Sequence, residues 1–339
     1  MSENVSREVR LKTRPVGLPK ESDFELAEVT VGAPGENEVL VKNIYMSVDP
    51  YMRGRMIDRK SYSAPFEVGE VMAGGAVGEV LESRADGFEV GDHVLSMNGW
   101  RERFLSAGDA LRKVDRNLAP LSAYLGVLGM PGLTAYVGLE DIGKPEPGQT
   151  VFVSGAAGAV GSAACQIAKA KGCRVVGSAG SKDKVDWLQD EAGVDVALNY
   201  RTVDNLRAAL LEACPDGIDV YFDNVGGDHL EAALWGMNDY GRIIACGSIS
   251  TYNATEPQPG PSNLFQMIGK RLLWKGFIVS DHADQFPAFA QAMGAWIAEG
   301  KVVWRETVHE GIEKAPQAFM GLFSGGNMGK MIVRLAADA

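Results

Sequence analysis

The chain carries no cysteine before Cys165, and its four cysteines, Cys165, Cys173, Cys214 and Cys246, never stand in C-x-x-C spacing. Neither a thiolate zinc lobe nor a redox dithiol is encoded, and no disulfide framework is expected in a reducing compartment. Each cysteine reads as a small buried apolar residue. Positive charge is also in short supply: 33 Lys and Arg stand against 44 Asp and Glu, a formal net charge of −11. That balance excludes nucleic acid and anionic membrane as main partners. No apolar run approaches the roughly 18 residues of a membrane-spanning helix. The start, Met1 to Glu8, has no apolar signal core. A cytoplasmic protein is expected. Internal repeats and low-complexity tracts are also missing.

What is present suits a globular protein of two domains: 339 residues, 46% apolar and 23% charged. The chain is organised around Val151-Phe152-Val153-Ser154-Gly155-Ala156-Ala157-Gly158-Ala159-Val160-Gly161-Ser162. A short apolar run reads as a buried strand and breaks into glycines at 155, 158 and 161. A helical pattern follows, with Val160, Ala163, Ala164, Ile167 and Ala168 on one face. Strand, glycine turn and helix in this order form a dinucleotide site, in which the backbone approaches a pyrophosphate and the helix start offers it N–H groups. The G-x-x-G-x-x-G spacing varies the usual fingerprint. A glycine-rich turn that binds nothing is the plain alternative.

The next strand, Cys173 to Ser178, runs into Ala179-Gly180-Ser181-Lys182-Asp183-Lys184. An NAD site carries an acid near the end of this strand, bonded to the ribose 2′-hydroxyl. Here the position is small and polar, with two lysines beyond. A carboxylate would repel a 2′-phosphate by roughly 4 kcal/mol at 4 Å and an effective dielectric of 20. Its absence, with Lys182 and Lys184 present, favours NADPH. The lysines also fit a solvated helix start.

Residues 1–125 read as a β-rich domain. Glu38 to Ile44, Phe66 to Val71, Gly75 to Leu81 and a run ending at Leu95 are expected strands, and closely spaced strands with glycine turns suggest a small barrel. His93, the sole histidine there, reads as structural. Ser47-Val48-Asp49-Pro50-Tyr51-Met52-Arg53-Gly54-Arg55-Met56 is either a surface loop or a substrate-facing one. Gly129 to Tyr136 opens a helix into the second domain. From 151 strand and helix alternate, as in a doubly wound parallel sheet. Expected strands are Val196 to Tyr200, Ile218 to Asp223, Gly241 to Gly247 and Leu272 to Val279, with helices over Val203 to Ala213 and roughly 284–299. Ligands bind at the C-terminal ends of such strands. Pro257 to Pro261 marks a rigid loop. Val302 to Val308 and Gly329 to Leu335 are expected as last strands, returning to the first domain.

Five motifs in order along nearly the whole chain carry a resemblance: Val48-Asp49-Pro50-Tyr51-Met52-Arg53-Gly54, Ala156 to Ser162, Tyr221-Phe222-Asp223-Asn224-Val225-Gly226-Gly227, Cys246 to Asn253, and Asn327-Met328-Gly329-Lys330. The chain resembles the zinc-independent, NADPH-dependent double-bond reductases of the medium-chain dehydrogenase/reductase superfamily, such as prostaglandin, alkenal and curcumin reductases. Lys182 beside the expected Lys184 departs from that pattern.

The resemblance implies an α/β protein with a GroES-like β-barrel domain, 1–125 and 305–339, beside a Rossmann doubly wound parallel-sheet domain, 126–304. It implies that Gly158, Ala159, Val160 and Gly161 hold the pyrophosphate. Lys184 and Tyr200 would contact the 2′-phosphate, with Ser181 nearby. Asn224, the run Cys246, Gly247, Ser248, Ile249, Ser250, Thr251 and Tyr252, the backbone of Phe277, Ile278 and Val279, and Asn327 would line the adenosine and nicotinamide parts. A homodimer through the sheet edge is implied, with the sixth strand as interface. No metal is expected: zinc alcohol dehydrogenases need a cysteine in the barrel domain, and here there is none.

The expected reaction is hydride transfer from NADPH to the β-carbon of an α,β-unsaturated aldehyde or ketone. The enolate oxygen then needs preplaced donors. Tyr252 is the first candidate, because a tyrosine hydroxyl stays protonated at neutral pH. The α-carbon proton comes from Tyr252 or from water. Tyr51 and Arg55 would shape the substrate mouth. Two alternatives stay open, an NADPH quinone reductase and a non-catalytic NADPH-binding protein.

Overall fold

The computed structural model describes residues 4–338; Met1 to Glu3 and Ala339, at the ends of the expected first domain, lie outside the described residues. The chain divides into two compact units. Met1–Leu125, Glu306–Asn327 and Met331–Ala339 form the first, and Gly126–Arg305 with Met328–Lys330 form the second.

In the first unit β1 (Asn4–Leu11) and β2 (Phe24–Val31) make an antiparallel ribbon, Asn4 opposite Val31 and Leu11 opposite Phe24. The sequence reading placed no strand there. β3 (Glu38–Ser47) is the central strand, antiparallel to both β4 (Ala76–Ser83) and β6 (Arg103–Ala107). Its polar Asn43 is buried because Nδ2 donates to the carbonyls of Asn98 and Arg101, at 2.9 and 2.8 Å. The short helix α1 (Met52–Arg55) follows β3, and β5 (His93–Ser96) and β7 (Arg112–Lys113) extend the sheet from β4. The strand expected over Phe66 to Val71 does not form. Gly69 turns there at φ 88°, the Glu70 N–H closes onto the Glu67 carbonyl, and only Val71 makes a bridge, to Arg10.

The second unit opens with α2 (Met130–Val137) and a π-helical turn over Gly138–Gly143. Then β8 (Thr150–Val153), α3 (Ala159–Ala170), β9 (Arg174–Ala179), α4 (Lys182–Asp190), β10 (Val196–Asn199), α5 (Leu206–Ala213), β11 (Ile218–Asp223), α6 (Gly227–Gly236) and β12 (Met237–Ala245) alternate. They are followed by α7 (Gln266–Gly269), β13 (Leu273–Gly276) and α8 (Phe286–Ala298). The six strands are parallel in the order β10-β9-β8-β11-β12-β13. That is the doubly wound order 3-2-1-4-5-6, whose ligand crevice lies where the order reverses, beside the first strand. β8 is buried along its whole length, which accounts for its unbroken apolar run.

Several expected elements differ at their ends; β12, for one, runs Met237–Ala245 rather than Gly241 to Gly247. α5 starts at Leu206 rather than Val203, because the Asn205 side chain accepts the Ala208 N–H at 2.9 Å and caps the helix there. β13 ends at Gly276, so 277–279 leaves the sheet. The strand expected from Val302 begins only at Glu306. The Val303 N–H and carbonyl are both taken by the Gln166 side chain, at 2.7 and 2.9 Å, and are lost to any ladder.

The chain returns to the first unit with β14 (Glu306–Glu310), α9 (Ala315–Ser324) and β15 (Lys330–Arg334). Ile332 to Arg334 pair antiparallel with β3, completing a sheet in the order β14-β15-β3-β4-β5-β7, with β6 on β3. Trp100, Phe24 and Phe319 interlock at its core, centroids 6.1–6.4 Å apart. Among the described residues no helix is long and apolar enough to cross a membrane.

Candidate functional site

The glycine turn joins β8 to α3 at the sheet's reversal point. Gly155 turns at φ 60° and its carbonyl accepts the Gly158 N–H at 3.0 Å. Gly158 is the extended N-cap of α3. Gly161 is required by close approach: a Cβ there would collide with the Gly155 carbonyl oxygen and stand 2.9 Å from Ala156 Cα. The first intrahelical bond is from the Ser162 N–H to the Gly158 carbonyl. The N–H groups of Ala159, Val160 and Gly161 precede it and have no acceptor within their own helix. Together with the helix dipole they suit an anion. Of the expected apolar face, Ala163, Ala164, Ile167 and Ala168 are buried and Val160 is half-buried.

At the adjoining strand end a buried polar hub sets the neighbouring loops. Asp223, at the tip of β11, accepts from Ser154 Oγ (3.1 Å), Tyr221 Oη (2.6 Å) and the N–H groups of Val225 (3.0 Å) and Gly226 (2.8 Å). Burial is the largest influence on this carboxyl and raises its pKa, against the lowering by its donors. Ser154 also receives the Asn224 N–H, and Asn224 Nδ2 donates to the Ser154 carbonyl at 2.8 Å. Asn224 is thereby tied to the glycine turn. The run 246–252 hangs from the same loop: the Cys246 and Gly247 N–H groups donate to the Asp223 carbonyl, and the Ser250 Oγ and N–H donate to the Val225 carbonyl. The Cys246 thiol is pushed up to about 12 by burial and then by Asp223, so Cys246 contributes shape and not a thiolate.

Tyr252 ends this run after a 3-10 turn over Ile249–Thr251. Its hydroxyl folds back over Gly247, where a Cβ would stand 3.1 Å from it, and accepts the Ser248 N–H at 3.3 Å. A bond donated into the phenol oxygen polarises its own O–H and strengthens it as a donor. Thr251 and Ser248 hold the turn closed through their hydroxyls, 3.1 Å apart.

A second cluster lies at the ends of β9 and β10. Ser181 is the N-cap of α4 but does not use its hydroxyl on the cap. Lys184, in the first turn, is half-buried, and its pKa is lowered by burial and then by Arg201. Tyr200 follows β10 with its ring edge-on to His229. Lys182 differs: it is exposed and paired to Asp186 at 2.6 Å, a helix-surface ion pair. The fold thus separates the two lysines that the sequence presents together.

Phe277, Ile278 and Val279 are half-buried and lead into the 3-10 turn Val279–Gln285, with Phe277 against His282 at 6.3 Å. Asn327 belongs to the first unit and directly precedes Met328–Lys330. In that piece the Gly329 N–H donates to the Ala157 carbonyl at 2.8 Å, and Gly329 bridges Gly158. Tyr51 and Arg55 lie in the first unit. Tyr51 precedes α1, and burial raises its hydroxyl pKa, with Asp49 adding and Arg55 opposing. Arg55 donates from Nε to the Ala64 carbonyl at 2.8 Å and stacks over Phe66 at 4.1 Å. Arg53, buried in the same motif, donates to the Pro15 and Gly17 carbonyls.

Sequence reasoning missed Ser154, Tyr221, Asp223, His229 and Arg201. A buried hub carries no local signature, because its partners are some 70 residues apart. Arg201 had one: a cation directly after the strand residue assigned to the phosphate. Among the described residues no group of three or more His, Cys, Asp or Glu could hold a metal ion.

Comparison with known proteins is consistent across the chain. Residues 7–114 match the family described as the N-terminal domain of oxidoreductase, and 159–295 match the family described as zinc-binding dehydrogenase. A Bacillus subtilis (strain 168) protein named as an NADP-dependent oxidoreductase is 49% identical over 332 residues, 97% of this chain and 98% of the relative. The NADP(+)-dependent 2-alkenal reductase of Nicotiana tabacum is 47% identical over 346 residues, the whole of both chains. The crystal structure of CurA from Vibrio vulnificus in complex with NADPH is similar at a TM-score of 0.93 and 42% identity, covering 98% of this chain and 99% of that one.

Proposed function

The chain belongs to the NADPH-dependent double-bond reductase group of the medium-chain dehydrogenase/reductase family, and from that membership we infer that it reduces the C=C bond of α,β-unsaturated aldehydes and ketones with NADPH. The observation that carries this reading is the pairing of an anion-binding glycine turn with a cationic strand end that lacks a carboxylate. The groups present fit the cofactor. Amides of Ala159 to Gly161 suit the pyrophosphate, Ser181, Lys184 and Tyr200 suit the 2′-phosphate, and Asn224 with the run 246–252 suits the remaining length. NADPH, when bound, supplies the hydride that saturates the β-carbon.

Tyr252 is the residue we assign to the chemistry. As negative charge builds on the carbonyl oxygen, its O–H donates a hydrogen bond there, already polarised by the Ser248 N–H. Burial of Tyr51 suits it to bind the apolar part of a substrate, and Arg55, held by Ala64 and Phe66, would shape the same mouth. Asn327, next to the clipped Met328–Lys330 piece, is assigned to the nicotinamide end.

We also propose a homodimer formed through β13. It is the last strand of its sheet, all four of its residues are exposed, and Leu273 (48%) and Trp274 (42%) stand open, as does Ile268 (82%) on the preceding α7. An uncovered apolar edge strand is a ready surface for pairing. A cytoplasmic location accords with this reading.

The test is NADPH consumption with a panel of enals, enones and quinones, run beside NADH, with product analysis. Fast oxidation yielding the saturated carbonyl is the expected result. Faster turnover of quinones would assign the site to quinone reduction. Tight NADPH binding with no turnover of any acceptor would make the chain a binding protein.

A further inference from the structure

We propose that Arg201 is a second cation for the 2′-phosphate of NADPH and the residue that sets the preference for NADPH over NADH. This rests on the NADPH reading above and adds to it a residue that the family resemblance did not assign.

The argument starts at Gly180, the residue after β9. A Cβ built there would stand 2.9 Å from Tyr200 Oη and 3.2 Å from Arg201 Nε. The tyrosine hydroxyl and the guanidinium therefore converge over a position that has no side chain. This is the strand end at which a dinucleotide fold places the ribose carboxylate for NAD, or an arginine for the added phosphate of NADP. A glutamate or aspartate at 180 would press on the Tyr200 hydroxyl and crowd the Arg201 guanidinium, so the NAD solution would require both side-chain ends to shift.

Lys184 stands in the first turn of α4, near enough to Arg201 for the two charges to oppose each other. Its charge is opposed by burial and next by Arg201. Two cations that weaken each other are stabilised together by a dianion placed between them. The remaining lysine of the stretch, Lys182, is turned onto Asp186 and takes no part. Arg201 also lies over the Tyr200 ring, 5.9 Å from its centroid, which limits the directions its fork can take. A planar fork matches phosphate oxygens in a way that a lysine does not. Ser181, with its hydroxyl off the helix cap, supplies a neutral donor at the same rim.

The experiment measures dissociation constants of the full chain for NADPH, NADH, 2′,5′-ADP and 5′-AMP, in wild type, Arg201→Ala and Arg201→Lys. Arg201→Ala is expected to weaken NADPH and 2′,5′-ADP about tenfold or more, as loss of a charge-assisted hydrogen bond does. NADH and 5′-AMP should stay within about twofold, which also shows that the variant is folded. Arg201→Lys should recover part of the loss. If wild type prefers NADPH and Arg201→Ala leaves that preference unchanged, or weakens NADPH and NADH alike, the proposal fails alone. If wild type binds NADPH and NADH equally, the NADPH reading fails and the proposal with it.

Discussion

The imidazole of His229 stands edge-on against the ring of Tyr200, centroids 5.0 Å apart and planes at 78°. His229 is 5% exposed, and its Nε2 has no hydrogen-bond partner among the described residues. Burial pushes its pKa down to about 4, with Asp228 opposing. The unfolded chain binds this proton near pH 6.5 and the folded chain only near 4. Stability from the neutral imidazole is thus complete above pH 6.5 and is lost as pH falls toward 4, by on the order of 3 kcal/mol. His229→Phe keeps the ring contact and should flatten this slope. Chemical denaturation of both proteins at pH 7.5 and 4.5 checks it; equal slopes would count against a neutral buried His229.

Tyr252→Phe keeps the ring and removes the donor. Turnover of an enal should fall by much more than about tenfold, while the NADPH dissociation constant stays near that of wild type. Steady-state kinetics with direct binding separate the two. Near-normal turnover would reduce Tyr252 to a packing residue of the run 246–252.

Gly161→Ala places a methyl group against the Gly155 carbonyl. The turn must open, so both pyrophosphate binding and stability should suffer, the latter by about 1–3 kcal/mol as for overpacking elsewhere. Thermal melts with and without NADPH would show a lower Tm and a smaller ligand-induced rise. A wild-type rise in the variant would disprove the role of this contact.

The four cysteines should be inert in the native state. Burial raises the Cys165 and Cys173 thiols, and pushes Cys214 and Cys246 up to about 12. An aromatic disulfide reagent at pH 8 should label all four only after unfolding. Rapid native labelling with loss of turnover would instead mark a reactive thiol.

Charge placed on the proposed β13 interface should keep the chain monomeric. Trp274→Glu with Ile268→Glu is expected to give a monomer by light scattering, against a wild-type dimer. A wild type that is already monomeric at micromolar concentration would remove the proposed interface.

The alternation of strand and helix from 151 was legible because parallel strands buried on both faces are written as apolar runs, as in Val151 to Val153 and Val220 to Phe222. The glycine turn was legible because its steric demands act between near neighbours, Gly155 and Gly161. The first unit was less so. β1 and β2 mix charged and apolar residues on their outward positions, such as Arg7 beside Val5 and Glu25 beside Leu26, and Phe66 to Val71 looks like a strand while its backbone bonds are split among a turn, Leu11 and Arg55.

The sequence by itself determined the glycine turn, the missing acid at the end of β9, the missing cysteines of the first 125 residues and the family motifs. All are local: each depends on residue type within a few positions. Tertiary structure alone decided that Lys182 turns onto Asp186, that Arg201 joins Tyr200 over Gly180, and that Ser154, Tyr221 and Asp223 hold the loop bearing Asn224. The reason is physical. Helix phase, strand order and the need to satisfy a buried carboxylate bring together groups as much as 70 residues apart, and residue spacing carries no record of that.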